Sequence, residues 1–181
     1  SLLPVDTRKF KKILVTGPNA NNQSIMGDWV FEQPEKNVST ILEGIKEEAS
    51  GTQINYVDVG WNMRALDSAK IEEAIQTAKS SDLAIVIVGE DSFRQHWKEK
   101  TCGENRDRMD ITLWGKQDYL VESIYKTGVP TIVILINGRP FATRWIAENI
   151  PAVIEAWEPG SMGGKAIAEI LFGKVNPSGK L

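Results

Sequence analysis

Two stretches of this chain are apolar without interruption, and they constrain the fold more than any other feature. They are LAIVIV at residues 83–88 and the centre of PTIVILING at residues 130–138. A strand with one face in water alternates apolar and polar residues, whereas a strand of a parallel sheet is covered on both faces and reads as a continuous β-branched run. The two stretches therefore predict central strands of a parallel sheet.

Strand and helix patterns alternate along the rest of the chain. Further strand patterns occupy residues 11–17, 53–59 and 152–157. Apolar residues with helical spacing predict helices over residues 38–50, 68–81, 116–128, 142–149 and 162–173. Such alternation is typical of a mostly parallel sheet with helices on both faces. We predict a single α/β sandwich domain over residues 1–181, with flavodoxin-like layering and six strands in the sheet.

Composition excludes several classes of function. The net charge is −3 and no Lys/Arg cluster stands out, which argues against a nucleic-acid partner. The longest apolar runs have the length of strands, so we expect no insertion into a membrane. One cysteine cannot form an internal disulfide or a multi-cysteine metal site. The single histidine, His96, has no second ligand residue near it in the sequence, and we expect no metal.

The segment that follows the strand at 83–88 is the first candidate for a functional site. It reads GEDSFRQHWKEKTCGENRDRMD over residues 89–110, roughly four times the length of an ordinary connection. Ligands of parallel α/β sheets bind beyond the carboxyl ends of the strands. Unusual loops at residues 17–29 and 137–141 emerge at the same edge. This edge is the predicted site.

The residues of the long segment leave alternatives open. Its carboxylates are Glu90, Asp91, Glu99, Glu104, Asp107 and Asp110. They are either solvated and paired with neighbouring Arg and Lys residues, or one of them is a general acid beside Trp and His. His96 is a candidate base, and Cys102 fits a packed thiol better than a nucleophile. Trp29, in the first loop, either covers the edge of the sheet or offers a flat surface to a sugar ring.

Several motifs, taken in chain order, resemble one known family. They are KILVTGPNA followed by GDW, LAIVIVGE, GENRDRMDITLWGKQ, IVILINGRP and AVIEAWEPGSMGGKAIAEILFGKVNPSGKL. Together they resemble the C-terminal α/β-sandwich domain of glycoside hydrolase family 3, the family of β-glucosidases and exo-β-glycosidases. The resemblance covers residues 11–181, and its closing motif is the most specific part.

The resemblance implies that this chain is a fragment of a longer enzyme. Family members carry an Asp nucleophile in a preceding barrel domain, for which this chain has no counterpart. The implied parent is a retaining β-glycosidase, with β-glucosides as the first choice of substrate and no cofactor. The implied partners are a carbohydrate and the N-terminal barrel, so the isolated chain is expected to be inactive. By resemblance alone, a periplasmic or secreted location is favoured over the cytoplasm.

The resemblance also implies roles for particular residues. Many members place the general acid/base at a Glu three residues before an Asp-Arg pair, which is Glu104 here. Glu90, at the end of the LAIVIVGE motif, is the alternative. Trp29 corresponds to the aromatic residue that holds the sugar in the neighbouring subsite. The remaining candidates for substrate binding are Arg94, His96 and Trp97.

One residue departs from the family pattern, and one rival interpretation stays open. Trp114 stands where the family usually has the Pro of LPxxQ, which puts the exit of the loop in doubt but leaves the acid in place. The rival is a stand-alone flavodoxin-like module that binds a ligand or serves assembly without catalysis. The GPNANN loop lacks the glycine spacing of a phosphate or dinucleotide cradle, which weakens that alternative.

Overall fold

The computed structural model describes residues 2–179, and a parallel sheet forms the centre of this part of the chain. The strands are β1 (Lys12–Thr16), β2 (Gln53–Val57), β3 (Leu83–Gly89), β4 (Thr131–Ile136) and β5 (Ala152–Glu155). Their order across the sheet is β2-β1-β3-β4-β5, and every neighbouring pair is parallel. The continuously apolar strands β3 and β4 are buried throughout, as predicted.

Helices cover both faces of the sheet. They are α1 (Ile41–Glu48), α2 (Ser68–Lys79), α3 (Gln117–Tyr125), α4 (Arg144–Asn149) and α5 (Gly163–Leu171). One core cluster joins the side chains of Ala84, Val86 and Val88 to α2, α3 and α4. The other joins Ile85 and Ile87 to α1 and α5. Successive residues of a strand point to opposite faces, so a continuous apolar run supplies both clusters.

The observed helices lie inside the predicted ranges, and local capping explains where they begin. The predicted helix 38–50 starts at Ile41 because Thr40 and Glu43 form a reciprocal capping box. Asp67 caps α2 by accepting from the main-chain N–H groups of Ala69 and Lys70. The predicted range of α1 thus extends past its cap, whereas α2 begins at Ser68 as predicted and ends earlier than predicted, at Lys79.

The described residues contain five strands in the sheet, and the prediction of six is wrong by one. Residues 90–116, all of them described, contain only a short 3-10 turn at Arg94–His96 and add no strand. That segment has neither an alternating nor a continuous apolar run, and charged side chains hold it instead. Within residues 2–179, no helix is both long and apolar enough to cross a membrane.

Both ends of the long segment are tied to one point at the end of β3. The buried amide side chain of Gln117 accepts a hydrogen bond from the Gly89 N–H at 2.7 Å and donates one to the Gly89 carbonyl at 2.9 Å. Gly89 has φ 156°, and a Cβ there would lie 1.7 Å from the Ile136 carbonyl oxygen. Only glycine fits this close approach. The segment therefore leaves the sheet and returns to it at the same place.

Candidate functional site

The strand order places the candidate site at the centre of the sheet. From β1 the chain crosses to β2 on one side, and β3 lies on the other side of β1. The connecting helices α1 and α2 consequently pack on opposite faces, and a crevice opens beyond the strand ends at such a point. The loops that follow β1, β3 and β4 meet here. Asn19 donates to the Glu90 carbonyl at 2.9 Å, and Arg139 pairs with the Glu90 carboxylate.

Glu90, the alternative acid, is enclosed by cations. Its side chain is 0% exposed, with Arg108 Nη1 3.4 Å from Oε1 and Arg139 Nε 3.3 Å from Oε2. Burial raises the pKa of Glu90 above its usual range, although Arg139, the Cys102 thiol and Arg108 act in the opposite direction. This carboxylate joins the loops after β3 and β4, and it presents no surface to a substrate.

Cys102 lies in the same buried group. Burial raises the pKa of its thiol far above the usual range, and the neighbouring carboxylates Glu90 and Glu158 raise it further. Because the thiolate is the nucleophilic form, these surroundings disfavour a nucleophilic role for Cys102. The prediction of a packed thiol agrees with this arrangement.

Glu104, the first choice for the acid, has a different environment. Its side chain is 41% exposed, and Oε2 accepts from both terminal nitrogens of Arg94 at 3.2 Å. The Arg94 guanidinium lies 3.8 Å from the ring centre of Trp29 and 5.4 Å from that of Trp97. The Trp29 residue is 72% exposed. The structure thus brings one predicted acid and three predicted substrate-binding residues together.

Two residues that sequence reasoning missed hold this group in place. Asp28 Oδ2 accepts from the Glu104 N–H at 2.6 Å and from Lys100 Nζ at 2.9 Å, while Oδ1 lies 3.3 Å from Arg94 Nη1. Burial would raise the pKa of Asp28, but the Glu104 N–H, Lys100 and Arg94 together hold it below its usual range. The one available signal for Asp28 was its position directly before Trp29. Lys100 was expected only among the cations that pair with carboxylates of its own segment, and its burial was not predicted, because buried lysines are rare.

His96 belongs to a separate set of contacts. Its Nδ1 lies 2.6 Å from Oδ2 of the buried Asp91, and its ring stacks on Trp61 with ring centres 4.0 Å apart. The ring of Phe93 meets it edge-on at 5.3 Å. These contacts fix the first turn of the long segment, and a role for His96 in substrate binding stays a prediction. Among residues 2–179, no group of three His, Cys, Asp or Glu side chains could hold a metal ion.

Trp114, the departure from the family pattern, packs between two cations. The guanidinium groups of Arg64 and Arg108 lie 4.3 Å and 4.2 Å from its ring centre. Cation–π contacts of this kind stabilise by about 0.5–1 kcal/mol at exposed sites and more when desolvated. The exit of the loop is therefore held by charge and aromatic stacking in place of a proline.

Comparisons with known proteins point to one family along the whole chain. A family model described as the glycosyl hydrolase family 3 C-terminal domain matches residues 1–181. A protein of Formosa agariphila named beta-xylosidase is 40% identical over 100% of this chain. A periplasmic beta-glucosidase of Salmonella typhimurium is 32% identical over 96% of it. In both cases the chain spans only 25% of the relative's length.

The solved structures agree with the sequence comparisons. The crystal structure of a beta-glucosidase from Listeria innocua in complex with glucose superposes with a TM-score of 0.84 at 28% identity. The alignment covers 99% of this chain and 23% of that one. The arrangement of strands and helices described above is therefore the same as that of one quarter of a larger protein.

Proposed function

The chain belongs to the glycosyl hydrolase family 3 C-terminal domains, and from that premise we propose that it forms part of a retaining β-glycosidase. The proposed enzyme hydrolyses terminal β-linked sugars, with β-glucosides as the first substrate class. Glu104 is its general acid and base, Trp29 is a platform for the sugar, and a barrel domain elsewhere in the same longer chain supplies the nucleophile.

One observation carries the choice of Glu104. It is a carboxylate 41% exposed at the sheet edge, joined through a single arginine to the exposed ring of Trp29. A proton donor must come within hydrogen-bond reach of the glycosidic oxygen, and aromatic faces bury the apolar side of a ring at small entropic cost. Glu90 has no exposed side-chain surface and would have to leave two arginines to reach a substrate.

The proposed reaction has two steps. First, the protonated Glu104 donates its proton to the glycosidic oxygen while the nucleophile attacks the anomeric carbon, and the leaving sugar departs as an alcohol. Second, the Glu104 carboxylate takes a proton from water as that water attacks the anomeric carbon and the bond between this carbon and the nucleophile breaks. Glu104 then carries a proton again and the nucleophile is free. The two carboxyl groups of a retaining enzyme stand about 5–5.5 Å apart, so Glu104 must lie where another domain can approach it.

The choice of sugar follows from the relatives. The Listeria innocua structure holds glucose, and the Salmonella typhimurium relative is named a beta-glucosidase, which supports β-glucosides. β-Xylosides are the second candidate, because the relative at 40% identity is named a beta-xylosidase. Values of kcat/KM for matched nitrophenyl glucosides and xylosides on the longer enzyme decide between them.

Leaving-group dependence tests the role of Glu104. In the longer enzyme, Glu104→Ala is expected to lower kcat/KM for substrates with a sugar leaving group by about 10²–10⁴-fold. Dinitrophenyl glycosides should lose much less, because their leaving group departs without a proton. Azide needs no general base, so it should restore turnover and yield a β-glycosyl azide.

Glu90→Ala is the matched control, since it removes the other carboxylate of the same segment. The proposal is overturned if Glu90→Ala shows this leaving-group dependence and azide rescue while Glu104→Ala behaves like the wild type.

A further inference from the structure

The exposed Glu104 is attached to a buried ion pair. Lys100 has a fully buried side chain, and its ammonium lies 2.9 Å from Asp28, whose side chain is 11% exposed. The ring of Trp97 closes over the same ammonium, with Nζ 4.6 Å from the ring centre. Buried lysines are rare and need a partner, so the position of Lys100 depends on the Asp28 carboxylate.

Asp28 fixes Glu104 at two points. It accepts a hydrogen bond from the Glu104 main-chain N–H at 2.6 Å, and it contacts Arg94, which in turn holds the Glu104 carboxylate and stacks on Trp29. Close approach of the loop backbone requires Gly103, which has φ 87° and whose Cβ would lie 2.5 Å from Asp28 Oδ2. The Asp28 carboxylate thus restrains the main chain of Glu104 directly and its side chain through Arg94.

We propose that Asp28 and Lys100 are positioning residues for proton transfer by Glu104, and that their ion pair sets the distance between the acid and the Trp29 platform. This inference rests on the proposed function. Asp28 belongs to the loop after β1 and Lys100 to the segment after β3, so the pair ties together the two loops that carry the sugar surface and the proton donor. Small misplacement of a reacting group lowers the rate steeply, and the loss falls on the step that needs the proton.

A purely structural role gives a different result. If the pair only stabilises the fold, its removal lowers the melting temperature and reduces activity equally for every leaving group. If the pair positions Glu104, poor leaving groups lose far more than good ones. Leaving-group dependence therefore separates the two roles.

The experiment uses the longer enzyme that contains this chain, with Asp28→Asn, Lys100→Met and the double variant. We expect kcat/KM to fall about 10–100-fold for glycosides with a sugar leaving group, and by less than about threefold for dinitrophenyl glycosides. Loss in the double variant should be no larger than in the worse single variant, because both changes remove the same restraint.

Asp82→Asn is the matched control. Asp82 accepts from the main-chain N–H groups of Lys11 and Lys12 at 2.8 Å, just before β3 and therefore at the opposite edge of the sheet. Asp82→Asn makes the same chemical change as Asp28→Asn, also at a carboxylate that accepts hydrogen bonds from the main chain. It should leave the leaving-group dependence of kcat/KM unaltered.

Gly103→Ala covers the case in which Asp28→Asn or Lys100→Met fails to fold. It keeps both charges and displaces the Asp28 carboxylate from the Glu104 N–H, so it should reproduce the selective loss. If Gly103→Ala and the folded variants lose activity equally on all substrates, or not at all, the inference is overturned. Glu104→Ala, measured in parallel, distinguishes failure of this inference from failure of the proposed function. If Glu104→Ala shows no leaving-group dependence, the proposed function itself is wrong.

Discussion

Glu90 and Glu104 belong to the same segment of chain, yet their surroundings differ in every respect that matters for chemistry. Glu90 directly follows β3, has no exposed side-chain surface, and lies between two arginines. Glu104 lies farther along, is 41% exposed, and contacts a single arginine. The comparison teaches that the environment assigns the role of a carboxylate: the buried one holds loops together and the exposed one can meet a substrate.

In its proposed role as proton donor, the exposed Glu104 carboxylate needs a defined position, and the charges around it would supply one. A side chain far from the sheet on a long loop has no strand to orient it, and catalysis requires placement to within about an ångström. The restraint that we propose consists of Asp28 and Arg94, which contact Glu104 or its partner, and of the buried Lys100, which contacts Asp28. The charges around Glu90 join loops, whereas we propose that those around Glu104 hold a proton donor in position.

The largest effect that would test this contrast is the difference between Glu90→Ala and Glu104→Ala in the free energy of unfolding. Glu90→Ala leaves Arg108, 8% exposed, and Arg139 without their carboxylate, and breaking a buried ion pair costs about 3–5 kcal/mol. Glu104→Ala removes a half-exposed surface contact and should change the free energy of unfolding by less than about 0.5 kcal/mol. Urea unfolding of both variants at pH 7 gives the comparison. A larger loss for Glu104→Ala would reverse our assignment of the two regions.

The two regions should also respond to pH with opposite sign. The folded state lowers the pKa of Asp28, so Asp28 stabilises above its unfolded pKa of about 3.9 and loses that contribution as the pH falls through the folded value. The folded state raises the pKa of Glu90, so the contribution of Glu90 is greatest below about pH 4.3 and declines as the pH rises through the folded value.

Unfolding curves between pH 3 and pH 7 measure these slopes. Relative to wild type, Asp28→Asn should lose roughly 1.5–3 kcal/mol at neutral pH, the usual value for hydrogen bonds to a charged group, and progressively less in acid. Glu90→Gln should show the reverse trend, with its deficit growing toward low pH. Parallel curves for both variants would mean that neither carboxyl group changes its pKa on folding.

The smallest expected effect is that of Trp29→Ala on sugar binding. It tests whether the region of Glu104 binds substrate and does not merely stabilise the fold. Its residue is 72% exposed, so Trp29→Ala should change the melting temperature little. In the longer enzyme it should weaken sugar binding by about 0.5–1.5 kcal/mol beyond the loss of buried area. Isothermal titration with a non-hydrolysed sugar analogue and thermal unfolding measure the two quantities. A large fall in melting temperature with unchanged binding would identify Trp29 as a cover for the sheet.

The sheet and its helices were predictable because their signals are local. The runs at β3 and β4 need no partner to be recognised as doubly buried strands, and the amphipathic helices follow from spacing alone. Strand number was overestimated by one, since the sequence contains only five strand patterns and the sixth strand was assigned to no segment. The start of α1 inside its predicted range depended on the capping box of Thr40 and Glu43, whereas the start of α2 at Ser68 was predicted.

The candidate site was predictable only in part, because its contacts join distant parts of the chain. Trp29 and Glu104 were singled out from motifs and Arg94 as a further candidate, yet the sequence could not show that Arg94 connects the other two. Glu90 and Glu104 could not be separated, since burial depends on which loop folds over which. The pair of Asp28 and Lys100 spans two loops, and no spacing rule relates residues that far apart.

The closure of the long segment on a single glycine has a consequence for engineering and for divergence among relatives. Because Gln117 holds both the N–H and the carbonyl of Gly89, the two ends of residues 90–116 meet at one point of the sheet. A segment closed in this way could change in length without a rearrangement of the sheet, since the entropic cost of closing a loop grows only slowly with its length. Exchange of this segment between related enzymes would then have to include the residues that it contacts elsewhere, among them Asp28, Trp61 and Arg139, while Gly89 and Gln117 stay unchanged.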